Sequence, residues 1–340
     1  MPPAIRDEVP AKPRNTVAHP VTLIPGDWIG PQVCAVAQRV VAALSVDVDW
    51  RTFDVPADAI PDALLASARA TGTVLKAKVG ARRQTGRLPA TVRLRQELGT
   101  WATVRPVRAL PGAPARFPDI DLVVIRETSE DIYSGMEHEI TDGVYEAVKV
   151  TTRAASERFA RFVFDYAREN GRKKVTIVHK SNIMKMSDGL FLATAQAVAA
   201  EYPDIECDEV IVDALCMRLV RWPNQFDVLL CGNLFGDIVS DLASGLAGGI
   251  IASASFSVGD GAAIFETPHG KAPELVDQDR ANPLPMLWAA HHMLAHLGEH
   301  AAAGRLAAAI EATIADGIGT EDMCGGSSTT EVEAAILARI

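Results

Sequence analysis

No stretch of this chain approaches the roughly 18 uninterrupted apolar residues of a membrane helix, because Asp, Lys, Arg or Pro breaks every candidate. No membrane partner is expected. No C-x-x-C pair occurs, and the five cysteines (34, 207, 216, 231 and 324) are an odd number. That excludes a disulfide scaffold and a cysteine-based zinc site, and a reduced, cytoplasmic setting is expected. Positive charge is in the minority, with 33 Lys and Arg against 43 Asp and Glu, so the net charge is −10. A general nucleic-acid binder is therefore disfavoured. The opening MPPAIRDEVPAKPRNTVAHP carries five prolines and no apolar segment. It is expected to be a mobile leader over residues 1–20, not a secretory signal. No G-x-G-x-x-G follows a strand, which argues against a Rossmann dinucleotide site. His291, His292 and His296 share one helical stretch, but H-E-x-x-H is absent, so they read as ordinary helix histidines.

What remains is ordinary globular composition. The 340 residues are 48% hydrophobic and 22% charged. At about 150 residues per domain this suits two domains or one large α/β unit. The apolar run 21–24 is stopped by Pro25-Gly26-Asp27, and Ile29-Gly30-Pro31 then opens a helix. Its buried face is Val33, Ala37, Val40, Val41 and Leu44. Residues 46–53 alternate like a strand. Further strands are expected at 121–126, 174–179, 209–213 and 227–231, and helices at 156–170, 188–202, 283–297, 301–314 and 330–340. Such alternation points to an α/β fold. Residues 242–257, rich in Gly, Ala and Ser, should pack backbone closely or bend.

Four segments could carry chemistry. The turn Gly26-Asp27-Trp28-Ile29-Gly30 could approach a ligand, or it could be a tight turn and no more. In Asn233-Leu-Phe-Gly-Asp237-Ile-Val-Ser-Asp241, two carboxylates at i and i+4 share one helix face. They repel unless a cation sits between them, which suits a hard divalent metal; Asp213 could add a third oxygen. The alternative is a pair of solvated acids. Lys180 and Asn182 lie just beyond a strand end, where functional groups gather in parallel sheets, although a strand-end lysine can equally be solvated. His179 reads as a structural histidine. Finally, residues 76–108 hold nine basic side chains and one acid, Glu97. Arginine forks there could grip a small polyanion, or the stretch could be a solvated basic loop.

Taken in order, LIPGDWIGPQV, LRQEL with VRPV, VIRETSEDIYSGMEHE, VHKSNIMKMSDGLF, VDALCM, NLFGDIVSDLASGLAGG and AIFETPHGKAP with ANP extend from residue 21 to the C-terminal region. Together they resemble the metal-dependent β-decarboxylating dehydrogenases, the isocitrate and isopropylmalate dehydrogenase family, with the central stretch most like isocitrate dehydrogenase. The resemblance implies an α/β, two-domain isopropylmalate dehydrogenase-like fold, distinct from the Rossmann fold. Residues 21–103 and 252–340 would form the large coenzyme-binding domain, and 104–251 the small one. It also implies a homodimer with shared active sites. Arg95, Arg105 and Arg126 resemble the clamp on the malate carboxylates, with Asn182 near substrate and nicotinamide. Tyr133 and Lys180 resemble the catalytic pair, Lys180 coming from the neighbouring subunit. Asp213, also from the neighbour, with Asp237 and Asp241, resembles the Mg²⁺ or Mn²⁺ ligand set. Glu266, His269, Gly270, Ala272, Glu274 and Asn282 fall where the family holds its coenzyme. Glu274 sits where NAD users place an acid toward the ribose, so NAD is expected over NADP.

The chain departs from the family at three places. Trp28 replaces a glycine. Pro89 and Thr91 stand where isocitrate dehydrogenases carry Ser and Asn for the third carboxylate. The apolar loop of isopropylmalate dehydrogenases is replaced by RRQTGRLPATVRLR. An anionic side group is therefore expected on the substrate: isocitrate first, with homoisocitrate or 3-phosphonomethylmalate as alternatives. Arg83, Arg87 and Arg93 are the candidate contacts. A non-catalytic regulatory subunit and a plain anion-binding protein are the competing classes. The retention of Tyr133, Lys180, Asp213, Asp237 and Asp241 together argues against both.

Overall fold

A computed structural model describes residues 18–56, 59–80, 88–249, 251 and 254–340. Nearly all of the expected leader lies outside them, as do Arg83 and Arg87. Apolar runs near both chain ends build half of the main sheet. In β1 (His19–Ile24), Val21, Leu23 and Ile24 are buried. It lies between β2 (Val48–Thr52) and β3 (Thr73–Lys76), and β12 (Ala263–Glu266) joins beyond β3, all four parallel. The middle of the chain supplies a second parallel set: β5 (Asp121–Glu127), β10 (Val228–Cys231), β8 (Lys174–His179) and β9 (Glu206–Ile211). Two antiparallel strands, β11 (Ser255–Gly259) and β4 (Thr100–Arg108), join the sets. The result is one ten-stranded mixed sheet in the order β2-β1-β3-β12-β11-β4-β5-β10-β8-β9. Strands such as β3 and β10 are buried throughout, as sheets covered on both faces require.

Helices cover each half separately. α1 (Gly30–Ala43) packs Val33, Ala37, Val40 and Val41 with α8 (Leu284–His296), α9 (His300–Ala315) and α10 (Thr329–Leu337) into one core. α2 (Asp62–Thr71) and α3 (Ala90–Glu97) close a smaller cluster on the same half. On the other half, α4 (Arg153–Glu169) presents Phe159, Val163 and Phe164 to the sheet beside α5 (Ser187–Ala199). Thr152 caps α4 by accepting from the Ala155 amide at 3.3 Å. α6 (Val212–Arg221) and α7 (Asn233–Leu246) cover the opposite face with Leu215, Leu219, Val239 and Ala243. A separate hairpin, β6 (Glu137–Thr141) and β7 (Val144–Ala147), has every strand residue exposed.

The strand expected at 209–213 is shifted. β9 begins at Glu206 and ends at Ile211, so Asp213 lies in the first turn of α6. β9 is an edge strand, which tolerates Glu206 and Asp208 because Lys174 pairs with both, at 3.0 and 2.8 Å. Helical spacing of Leu215 and Leu219 then takes over. The basic stretch 76–108 is also not one basin. Arg108 pairs with Glu311 and points away from its neighbours' cleft.

Close approach of α7 to β5 depends on Gly236. A Cβ there would lie 2.7 Å from both Cβ and Cγ of Arg126. Gly236→Ala should therefore force the buried Arg126 aside and cost about 1–3 kcal/mol of stability, the usual penalty for overpacking. Urea unfolding measures this, and an unchanged midpoint would show that the contact has slack.

Candidate active site

Strand ends of both halves converge on a polar cleft of about 380 Å³, lined by residues from β3, α3, β4, β5, α7 and β12. Arg126 closes β5 and is buried. Its Nε donates to Asn233 Oδ1 at 2.9 Å, a second nitrogen pairs with Asp237, and the guanidinium lies 4.8 Å from the Tyr133 ring centroid. Burial lowers the Arg126 pKa, and the Asp237 charge opposes the shift. Tyr133 sits in a single 3₁₀ turn, Ile132–Ser134, and its hydroxyl donates to Asp237 Oδ2 at 2.6 Å. Burial and that hydrogen bond both raise its pKa, so the phenol stays protonated at neutral pH. One turn along α7, Asp241 pairs with Arg105 of β4. Arg95, Arg105, Arg126, Tyr133, Asp237, Asp241 and Glu266, assigned from scattered motifs, thus meet on one surface.

Glu266 lies at the floor. It is buried between Arg95 and Lys76, whose Nζ is 2.9 Å from Oε2. Burial opposes ionisation of Glu266, yet Arg95 and Lys76 together hold it well below the usual carboxylate range. Lys76 is only 2% exposed, and burial pulls its pKa down. The basic cluster therefore partly satisfies itself, with Lys76 serving the floor and not a ligand directly. Lys78 is exposed at the rim and forms no ion pair among the described residues. The turn after β1 holds that segment in place: the Asp27 amide donates to Lys78 O at 2.9 Å, and Asp27 Oδ2 accepts from the Gly80 amide at 2.6 Å. Gly26 has φ +67°, and a Cβ there would stand 2.3 Å from Lys78 O, so glycine is required. The glycine-rich turn is thus a clamp on the cleft wall. Trp28, at φ +55°, packs near Gly80 and under the Lys271 ammonium, 5.1 Å from the ring centroid.

Pro89, Ala90, Thr91, Val92 and Arg95 of the α3 segment line the cleft, whereas Arg93 is not among the lining residues. Residues 91 and 95 share a helix face, and 93, two positions from each, falls on another. Against the expectation, Arg93 therefore does not face the cleft. Five cations and three carboxylates line the cleft, a local surplus of two positive charges in a chain of net −10.

The remaining assigned residues lie elsewhere. Lys180 donates to Asp213 Oδ1 at 2.8 Å, an ion pair that lowers the Asp213 pKa, and neither lines the cleft of its own chain. Asn182 is exposed beside them. Among the described residues no three His, Cys, Asp or Glu side chains converge as a metal cluster. Asp237 and Asp241 alone supply two hard oxygen ligands on one face, 41% and 78% exposed, a donor set that suits Mg²⁺ or Mn²⁺. In the segment after β12, His269 is buried, and its Nε2 has no hydrogen-bond partner among the described residues. Gly270 and Glu274 are exposed there, and Ala272 is held at φ +43°. An unsatisfied buried nitrogen in this segment fits a ligand-facing role. Asn282 is already engaged, donating to Asp322 Oδ2 and accepting from the Leu284 amide, both at 3.0 Å. His291 and His292 stack edge to face in α8, and burial holds His292 at about 3, so it is neutral. Two site residues escaped the sequence reading: Lys76 as a floor cation, and Asn233, which joins Arg126 to the Glu130 carbonyl at 2.9 Å.

Residues 20–336 match the isocitrate/isopropylmalate dehydrogenase family. A crystal structure of isocitrate dehydrogenase from Methylococcus capsulatus superposes with a TM-score of 0.91 at 43% identity, covering 94% of this chain and 99% of that one. Catalytic subunit 6 of the mitochondrial NAD isocitrate dehydrogenase of Arabidopsis thaliana is 42% identical over 325 residues, 93% of this chain and 87% of the relative. A regulatory subunit of the mitochondrial NAD isocitrate dehydrogenase of Dictyostelium discoideum is 41% identical over 321 residues, 93% of this chain and 89% of the relative.

The floor triad carries a stability expectation. Glu266→Gln would leave Lys76 and Arg95 buried without a counter-charge and should cost about 3–5 kcal/mol at neutral pH. The folded pKa of Glu266 is depressed, so its contribution is complete above the usual 4.5 and is lost as pH falls toward the folded value. The gap between the urea midpoints of wild type and variant should narrow progressively as pH falls below 4.5. A gap that stays constant on acidification would disprove the ionic origin.

Proposed function

The chain belongs to the isocitrate/isopropylmalate dehydrogenase family, and from that premise we propose that it is a homodimeric, NAD-dependent oxidative decarboxylase of isocitrate that uses Mg²⁺ or Mn²⁺. The observation that carries this reading is the meeting of Arg95, Arg105, Arg126 and Tyr133 with Asp237 and Asp241 in one net-positive cleft. Arginine forks suit the carboxylates of a malate core. Tyr133, kept protonated by burial, is suited to give a proton to the carbon that loses CO₂. Lys180 of the second subunit is the proposed proton relay for the hydroxyl, and its ion pair with Asp213 would travel with it into that site. Asp237, Asp241 and the partner subunit's Asp213 would hold the divalent cation, which supplies Lewis acidity at the substrate oxygens. His269, Gly270, Ala272 and Glu274 would face the coenzyme, which accepts the hydride. A carboxylate at Glu274 favours NAD by repelling a 2′-phosphate. Residues 21–103 with 252–340, and 104–251, are the proposed domains. A reduced, cytoplasmic setting is part of the proposal, resting on the odd cysteine count of the sequence.

Exposed apolar side chains support the dimer. Met217, Val220 and Trp222 of the α6 segment, Ile238 of α7, and Ile183 and Met186 ahead of α5 are all exposed. The β6–β7 hairpin adds Ile140, Val144 and Tyr145. A lone two-stranded hairpin is marginal in water, so a second copy is the natural cover. For the substrate's side group, Lys78 and Thr91 line the cleft and are the proposed contacts among the described residues, beside Arg83 and Arg87, which lie outside them. The 41% identity to a regulatory subunit keeps a non-catalytic reading in view.

One assay decides among these. Coenzyme reduction with Mn²⁺ should give the highest kcat/KM on isocitrate, ahead of homoisocitrate, 3-phosphonomethylmalate and isopropylmalate, and should be higher with NAD than with NADP. Lys78→Ala should raise KM for isocitrate about tenfold, the scale of one charge-assisted contact. Turnover on none of the four would transfer support to the regulatory reading, and full activity after exhaustive chelation would remove the metal.

A second experiment addresses the shared site. Tyr133→Phe and Lys180→Ala homodimers should each be nearly inactive, and a purified mixed dimer should regain activity from its one intact site. An inactive mixed dimer would place both residues in the same subunit's site.

A further inference from the structure

The Lys149 ammonium joins the two segments that carry Tyr133 and Lys180. It lies 3.0 Å from Asp131 Oδ2 and 3.3 Å from Asp188 Oδ1, with both carboxylates 5% exposed and the lysine 19%. The Phe235 ring lies 5.6 Å away on another side.

Each carboxylate holds backbone of a different catalytic segment. Asp131 Oδ1 accepts from the Ile132 amide at 2.8 Å, capping the turn that carries Tyr133. Its Oδ2 accepts from the Leu234 amide at 3.1 Å, fixing the same turn to the start of α7, which carries Asp237. Asp131 sits at φ +74°, a costly conformation for a residue with a side chain, and its own amide donates to Val150 O at 3.0 Å beside the lysine. On the other arm, Asp188 Oδ2 accepts from the Lys180 amide at 2.7 Å. Asp188 divides its two oxygens between the Lys180 amide and Lys149, and Asp131 Oδ2 serves both Lys149 and the Leu234 amide while Oδ1 holds the Tyr133 turn.

We propose that Lys149 is a positioning residue that sets Tyr133 for one active site and Lys180 for the other, so that a single ion cluster ties together both sites of the dimer. This rests on the shared-site reading above. Two buried carboxylates left facing each other without their cation would relax apart, and each would carry its backbone segment with it. Displacements on the ångström scale cost about 100-fold in turnover when they separate reacting groups.

Mixed dimers, purified with one tag on each chain, separate the two arms. The Tyr133→Phe with Lys180→Ala pair is the reference. If it shows no activity, the shared site falls and this proposal with it. Lys149→Met paired with Tyr133→Phe leaves one complete site, built from the Lys149→Met chain's Tyr133. Paired with Lys180→Ala, it leaves one built from that chain's Lys180. Both pairs should have kcat at least tenfold below the reference, with KM for isocitrate nearly unchanged, and Lys149→Arg should restore both. If either Lys149→Met pair equals the reference, the cluster serves one segment only and the proposal is overturned. Asp188→Asn, isosteric and one negative charge poorer, covers the case in which Lys149→Met fails to fold. It should depress kcat only in the pair where its chain supplies Lys180, and equal losses in both pairs would overturn the proposal.

Discussion

A guanidinium buried at the end of β5 sets the terms for everything around it. Arg126 can stay charged away from water only if its hydrogens and its charge are met. Asn233 meets one nitrogen, Asp237 another, and the Tyr133 ring lies against its face. Those three partners come from the helix after β10 and the turn after β5. Satisfying one arginine therefore brings together the proposed proton donor and the first carboxylate of α7. Gly236 follows from the same demand, because any larger residue would push α7 off the arginine.

The cleft has more cations than its own acids can balance, and that surplus is what an anionic ligand finds. Arg126 and Arg105 are paired with Asp237 and Asp241 in the free chain, while Arg95 shares Glu266 with Lys76. Such pairs spare the empty cleft the cost of isolated charges, yet they lie at an opening where partners can be exchanged. The floor differs. Glu266 and Lys76 are enclosed, so their pairing is structural, and the net positive charge they leave with Arg95 is permanent.

Local chemistry explains which parts were legible in the sequence. Strand β1, helix α1, the β8 strand and helices α8 to α10 carry their own periodicity and stop signals, and their positions follow from those signals. The short strands β3, β11 and β12 do not, because their burial comes from neighbours more than 180 residues away in one case. Arg95, Arg105, Arg126, Tyr133, Asp237 and Asp241 were found through motif order, and the fold brings them into one cleft. Arg93 falls off the cleft-lining face of α3, because a list of basic residues ignores helix phase. The role of Lys76 at the floor is not legible, because nothing in VLKAK announces a buried partner at Glu266. The edge position of β9, which moved Asp213 into α6, depends on strand order, and strand order is not a local property.

Lys180 and Asp213 pair with each other outside the cleft of their own chain, while Tyr133, Asp237 and the arginines line it. In the proposed dimer this division gives two half-sites with no covalent link at the point of chemistry. Their geometry must then be transmitted through packed, satisfied polar contacts, because loose loops could not hold side chains of two subunits to a fraction of an ångström. Asp131 in its strained conformation and Asp188 in the first turn of α5 are such contacts, each made to backbone and each buried in the half built on β5, β8, β9 and β10. Rigidity at this point costs the chain an unfavourable φ and two buried carboxylates. A fold that needed only stability would more cheaply place apolar residues there, so the charges themselves argue for a function that depends on position.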